Sequence, residues 1–148
     1  MRLKVGLLSD THGYLDPTIF EHFADCDELW HAGDIGEGNL LESLKKFKPL
    51  RVVFGNIDNI TLQHILPEDL WMDCEGLIVW MTHIGGAPPN YNPRIVKKLK
   101  EKVPNVFICG HSHILRLKAI ALENLADRIE DKLSFGHFGR AKVAGSFW

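Results

Sequence analysis

Five short clusters of oxygen- and nitrogen-bearing side chains carry the chemistry legible in this chain: Asp10-Thr11-His12, Gly33-Asp34, Gly55-Asn56-Ile57-Asp58, Thr82-His83 and Gly110-His111-Ser112-His113. Carboxylate, amide oxygen and imidazole are donors suited to Mn, Fe, Ni or Zn. One D-x-H or H-x-H says little, because residues two apart on a bending loop can point anywhere and polar residues end strands in every protein. Five such clusters after five short apolar runs say more. Each needs a tight loop, and each adds a ligand of the same kind.

The elements that must position these clusters alternate. Leu3 to Ser9 is a short apolar run that stops at Asp10, as a buried strand would. Pro17 opens a helix over 18–24 with Ile19, Phe20 and Phe23 on one face. Leu29 to Ala32 is a second strand, Asn39 to Phe47 a helix with Leu40, Leu41, Leu44 and Phe47 inward, and Leu50 to Phe54 a third strand. The pattern then changes, since Leu70–Asp73 and Leu77–Thr82 flank Cys74-Glu75-Gly76 as an antiparallel hairpin would. Asn92-Pro93 starts a helix through Lys102, and Val106 to Cys109 is a further strand. The fold class is α/β, with polar residues collected at strand ends, where open α/β sheets place their binding sites.

Composition bounds the function. At 148 residues, 45% hydrophobic and 24% charged, the chain is expected to be one globular domain, 1–148. Seventeen basic against nineteen acidic residues leave a formal charge of −2, so charge gives no strong affinity for nucleic acid or anionic lipid, and a phosphate-bearing substrate must be attracted locally. Cys26, Cys74 and Cys109 include no C-x-x-C pair, which fits a reducing compartment. Without a signal-like N-terminus or an apolar run long enough to span a bilayer, the expectation is a cytoplasmic protein with no membrane partner.

The ordered set D-x-H, G-D, G-N-x-D, H and G-H-S-H, from Leu3 to about Ile114, resembles the calcineurin-like metallophosphoesterases, in particular their small single-domain bacterial and archaeal phosphodiesterases. The resemblance implies a two-sheet β-sandwich flanked by helices, four layers in the order α/β/β/α. It also implies a dinuclear centre, with one metal on Asp10, His12 and His113, the other on Asn56, His83 and His111, and Asp34 bridging. Asp34, Asn56 and His83 are the residues expected to be catalytic. Two divalent ions, Mn foremost with Ni, Fe, Zn or Mg as alternatives, would be the cofactors. The expected reaction is hydrolysis of a small phosphodiester by a metal-bridging hydroxide, the activity of a phosphoric ester hydrolase. With both carboxylates and the hydroxide counted, such a centre keeps one net positive charge, which a phosphodiester anion neutralises.

His31 and Asp58 are expected to support the ligands without touching metal; a buried structural histidine and an Asx turn or cap are the competing readings. His22 and His64 read as surface residues, and His137 receives no role. Larger family members often carry a histidine after the motif asparagine, where it is thought to protonate the leaving group; here that position is Ile57. The family's closing pattern is also missing after His113. Leu122, Leu125, Ile129 and Leu133 are spaced as on a helix, so residues 115–148 are expected to be a divergent or truncated C-terminal segment that leaves a sheet edge uncovered and favours a homo-oligomer. Because the same fold serves relatives that act as trafficking subunits with degraded metal sites, a protein-interaction scaffold is the alternative to an enzyme, and a metal-binding but inactive domain is a third reading.

Overall fold

The structure, a computed structural model, describes residues 3–87, 90–111, 114–119, 133–134 and 142–143. Strands β1 (Val5–Leu8), β2 (Glu28–His31) and β3 (Leu50–Val52) run parallel, connected by helices α1 (Thr18–His22) and α2 (Leu40–Phe47). Helix α3 (Ile60–Ile65) leads to the antiparallel pair β4 (Asp69–Cys74) and β5 (Leu77–Thr82). A two-stranded ribbon, β6 (Gly86–Ala87) and β7 (Asn90–Tyr91), precedes α4 (Pro93–Glu101), β8 (Val106–Cys109), β9 (Ile114–Ala119), β10 (Leu133–Ser134) and β11 (Lys142–Val143). The first sheet has the order β10-β1-β2-β3 and the second β11-β9-β8-β5-β4.

Alternation along the strands creates the layers. Val5 and Leu7 of β1, with Trp30, Ala32 and Val53, meet Leu77, Val79, Met81, Val106 and Ile108 of the second sheet in one core. Leu8 and Leu29 point the other way, onto Ile19, Phe23, Leu40, Leu41 and Leu44 of the α1 and α2 layer. On the far face of the second sheet Trp80, Phe107 and Cys109 pack against Ile95 of α4. The result is the two-sheet sandwich flanked by helices that the family resemblance implies.

Three features depart from the sequence reading. Helix α3 carries no periodic signal; Asn59 starts it by accepting the Leu62 N–H at 3.0 Å. The expected helix over 18–24 stops at His22, and β3 at Val52. The helical spacing at the C-terminal end also fails where it can be checked. Leu133 lies in β10, parallel to β1 and opposite Val5, because the edge of β1 offers backbone partners that a spacing of three and four residues does not foresee. Leu122, Leu125 and Ile129 lie outside the described residues. Among the described residues β9 pairs with all four residues of β8 and β10 with Val5 and Gly6 of β1, so at those positions the edge expected to be uncovered is paired. Among the described residues no helix is long and apolar enough to cross a membrane.

Two positions test this packing. A Cβ on Gly6 would meet Leu29 Cδ2 at 2.5 Å and the Phe23 ring at 2.8 Å, and both neighbours are fully buried. Gly6→Ala is expected to destabilise by about 1–3 kcal/mol, read as a lower urea midpoint at unchanged slope. Asp69 ties β4 to α4: it accepts from Trp80 Nε1 at 2.9 Å, Arg94 Nη1 at 2.7 Å and Lys98 Nζ at 3.1 Å. Burial alone would push its carboxyl up, but these donors and the Arg94 charge outweigh it and hold it below its ordinary 3.8. A depressed acid stabilises the fold above its unfolded value and loses that contribution as the pH falls through the folded one. The stability gap between the wild type and Asp69→Asn should therefore be constant at neutral pH and narrow below 3.8 in pH-dependent urea titrations.

Candidate metal centre

Strand ends deliver the polar residues to one place. β1 ends before Ser9-Asp10, β2 leads through Ala32-Gly33 to Asp34, the chain after β3 reaches Asn56, β5 ends before His83, and β8 before Gly110-His111. Each loop turns sharply: Asp10, His12, Asp34 and His111 have φ of 55°, 50°, 57° and 70°, in the left-handed region that side chains avoid. Of the non-glycine residues with positive φ among those described, only Glu75, in the β4–β5 turn, lies elsewhere. Such conformations cost about 1–3 kcal/mol each and persist where the surroundings over-determine them. The surroundings here leave no slack. A Cβ on Gly55 would lie 2.1 Å from Asp34 Oδ1, and one on Gly110 would lie 2.0 Å from Ser9 Oγ.

The two buried carboxylates divide their oxygens in the same way. Asp10 Oδ2 accepts from Ser9 Oγ at 2.6 Å and from the His111 N–H at 3.2 Å, while Oδ1 is buried with no hydrogen-bond partner among the described residues. Asp34 Oδ1 accepts from the Ile57 N–H at 3.0 Å, while Oδ2 lies 3.1 Å from His83 Nε2 and 3.5 Å from His12 Nε2. Backbone and hydroxyl donors aim one oxygen of each carboxylate, and the other faces the histidines. His83 sits opposite, with Nδ1 at 2.8 Å from the Ala32 carbonyl. Donation of Nδ1–H to that carbonyl leaves Nε2 facing Asp34, Asp10 at 3.8 Å and Asn56 Oδ1 at 3.1 Å, where it donates to these oxygens when protonated and would offer its lone pair to a cation when not. Asn56 Oδ1 is also 2.9 Å from His111 Nδ1.

Asp10, His12, Asp34, Asn56, His83 and His111 therefore form one constellation, whereas His113 lies outside the described residues. Two sets of ligand atoms converge within 4.8 Å, Asp10/His12/Asp34 and Asp34/His83/His111, and they share Asp34. Burial opposes the charge on Asp34, but the His83 and Ile57 hydrogen bonds and the His83 and His12 charges hold its carboxyl below its ordinary value. Burial likewise works against a charged His83, yet its bonds to Asp34 and Ala32 and the nearby carboxylates raise it. The donor set fits a divalent cation. A buried carboxylate oxygen without a hydrogen bond, an amide oxygen and imidazole nitrogens are brought together, and the ion pairs of Asp10 and Asp34 among the described residues are with histidines, not with lysine or arginine.

Support comes from behind. His31 is fully buried, and burial, with the charge of His83 beside it, pushes its imidazole down to about 3, so it is neutral. Thr11 donates its hydroxyl proton to the Ile35 carbonyl at 3.0 Å; His31 Nε2 must then donate to Thr11 Oγ1, at 3.0 Å, while Nδ1 accepts from the Gly33 N–H at 3.2 Å. One ring thus joins the Asp10–His12 loop to the Gly33-Asp34 loop. Asp58 joins the next two, accepting from the Gly36 N–H at 2.9 Å and the Gly55 N–H at 2.7 Å. Ser9, which donates to Asp10, carries no motif; only its place beside an aspartate could have drawn notice. His22 and His64 are exposed. Asp58→Asn turns one acceptor into an NH₂ facing a backbone N–H, so divalent-metal affinity should fall about 10–100-fold in a calorimetric titration, with the fold retained by circular dichroism.

Comparison with known proteins gives a consistent picture. Residues 3–130 match the model of the calcineurin-like phosphoesterase superfamily domain. A probable metallophosphoesterase from Methanocaldococcus jannaschii is 29% identical over 117 residues, which cover 75% of this chain and 59% of that protein. Among solved structures, a novel archaeal phosphodiesterase superposes with a TM-score of 0.57 at 18% identity, covering 84% of this chain and 79% of its own. Vacuolar protein sorting 29 from Cryptosporidium parvum superposes with a TM-score of 0.55 at 16% identity, covering 74% and 64%. The chain thus spans about six tenths of the length of the first and the last of these relatives.

Proposed function

The chain belongs to the calcineurin-like phosphoesterase superfamily, and from that premise we propose that it is a metal-dependent hydrolase of phosphodiesters built on a dinuclear centre. The observation that carries this reading is the sharing of Asp34 by two convergent ligand sets. One carboxylate between two sites is what a pair of mutually repelling cations requires. Asp10 and His12 would hold one ion, Asn56, His83 and His111 the other, and His113 falls to the first by its motif. Bound there, divalent ions would supply Lewis acidity toward a phosphoryl oxygen and an activated water.

The chain's own residues do the rest. The Ile57 N–H and His83 hold the Asp34 carboxyl below its ordinary range, so it is an anion at neutral pH. The Ala32 carbonyl fixes the tautomer of His83, and Asn56 is held between His83 and His111. Ile57, which is 44% exposed beside these groups, has no proton to give, so the departing oxygen depends on water or on its own acidity.

The scaffold reading draws on the likeness to vacuolar protein sorting 29, which is a likeness of fold. The retained ligand constellation favours the enzyme. The test is turnover of bis-(p-nitrophenyl) phosphate against p-nitrophenyl phosphate by stripped protein given Mn, Ni, Mg or Zn in turn. Metal-dependent cleavage with preference for the diester is expected, and Asp34→Asn should lose at least about a hundredfold in kcat and bind less metal while staying folded. Preference for the monoester would overturn the substrate class. Metal binding without any turnover would overturn the enzyme.

A further inference from the structure

Beside the centre lies a cavity of about 320 Å³, lined among others by Asn56, His83, Gln63, Glu68, Asn92 and Arg94. Two of these are in the constellation above. The other four come from α3, the approach to β4 and the start of α4, and no motif marks them. The volume is at the low end for small-molecule pockets, which run from about 300 to 1,000 Å³, so it suits one small group and not a polymer.

The side chains here are held, not loose. Arg94 Nη1 donates to Asp69 Oδ2 at 2.7 Å and Nη2 to Thr82 Oγ1 at 2.8 Å, where Thr82 immediately precedes His83. Those bonds fix the guanidinium and leave further N–H donors unspent, since a guanidinium carries five. Glu68 Oε1 stands 3.7 Å from Arg94 Nε, an ion-pair distance too long for a hydrogen bond, and its side chain is 58% exposed. Gln63 spends an N–H on the Asp58 carbonyl at 2.7 Å and keeps its amide oxygen as an acceptor. Asn92 spends its oxygen on the Arg94 N–H at 2.9 Å and keeps its NH₂ as a donor.

Charge decides what such a wall selects. Arg94 and Glu68 are the lysine/arginine and aspartate/glutamate side chains of the lining, one cation and one carboxylate, and the Asp69 behind Arg94 is shared with Lys98, so this wall carries no net charge from them. A neutral wall has no net pull on a second anion. It does offer donors and acceptors side by side, the pattern matched by hydroxyl groups, each of which both donates and accepts. Building on the phosphodiesterase reading above, we infer that the cavity seats one arm of the diester, that this arm is a small neutral alcohol bearing further hydroxyls, and that Arg94 and Glu68 are its specificity-determining residues.

Binding and turnover test this separately. Calorimetric titration of the Mn-loaded protein would compare three non-aryl diesters: ethyl glyceryl phosphate, diethyl phosphate and ethyl carboxymethyl phosphate. The glyceryl diester should bind about tenfold more tightly than diethyl phosphate, and Arg94→Gln and Glu68→Gln should each shrink that preference to about twofold. Glu68→Gln alters an exposed carboxylate and keeps the fold, so it decides the matter alone if Arg94→Gln proves unfolded by circular dichroism. Equal binding of the glyceryl and ethyl arms, or a preference that survives in Glu68→Gln, would overturn the inference; tightest binding of the carboxymethyl arm would replace the neutral alcohol with an anion. A glyceryl preference without hydrolysis of any diester would leave the cavity assignment standing and sink the phosphodiesterase reading. Hydrolysis without arm preference would do the reverse.

Discussion

Two carboxylates of one sign, Asp10 and Asp34, are buried together at the carboxyl end of the first sheet, and neither is paired with lysine or arginine among the described residues. Like charges in a low-dielectric site demand compensation, and most features around them follow from that demand. One oxygen of each is quieted by backbone or hydroxyl donors: Ser9 and His111 for Asp10, Ile57 for Asp34. The oxygens left over converge with imidazoles, which gives a site whose missing charge is positive. On the proposed function, an acidic chain would draw a phosphate anion without a basic surface, because the attraction would be supplied by the cations the site holds.

Meeting that demand from five separate loops has a conformational cost. The left-handed backbone at Asp10, His12, Asp34 and His111 concentrates strain at the candidate ligands, and the close approach of Gly55 and Gly110 to the two carboxylates removes room for relaxation. His31 and Asp58 are the ties that hold adjacent loops in step. Asp58 accepts from two backbone N–H groups, and His31 bonds the Gly33 N–H and the Thr11 hydroxyl, so they fix the path of each loop and through it the direction of the candidate ligand.

The second sheet contributes differently. His83 and His111 come from its strand ends, and the outer helix brings Arg94 to the rim through the Asp69 ion pair. The same two-sheet framework is shared with a phosphodiesterase and with a vacuolar sorting protein, so the fold does not choose between chemistry and binding. The choice lies in the side chains at one end of the sandwich and in the wall beside it.

Much of this was readable in one dimension. A strand end is a local event: a buried apolar run must stop where polar residues begin, so β1, β2, β5 and β8 and the clusters after them were legible, as was the β4–β5 hairpin with Glu75 and Gly76 at positive φ. Donor types were equally local, because carboxylate, amide and imidazole chemistry belongs to the residue. The sequence did not reveal α3, whose six residues start from an Asn59 cap without apolar periodicity, or the strand at Leu133, whose spacing mimics a helix until the edge of β1 supplies hydrogen-bond partners. It did not reveal the wall of the cavity either. Arg94 meets Asp69, 25 positions earlier, and Gly36 meets Asp58, 22 positions later, only because the topology brings their loops together. Residue chemistry and strand ends are properties of short segments and were determined by sequence alone. Which oxygen of Asp10 or Asp34 faces the centre, which tautomer His31 holds and which side chains line the cavity depend on contacts between distant segments, and those were decided by the tertiary structure.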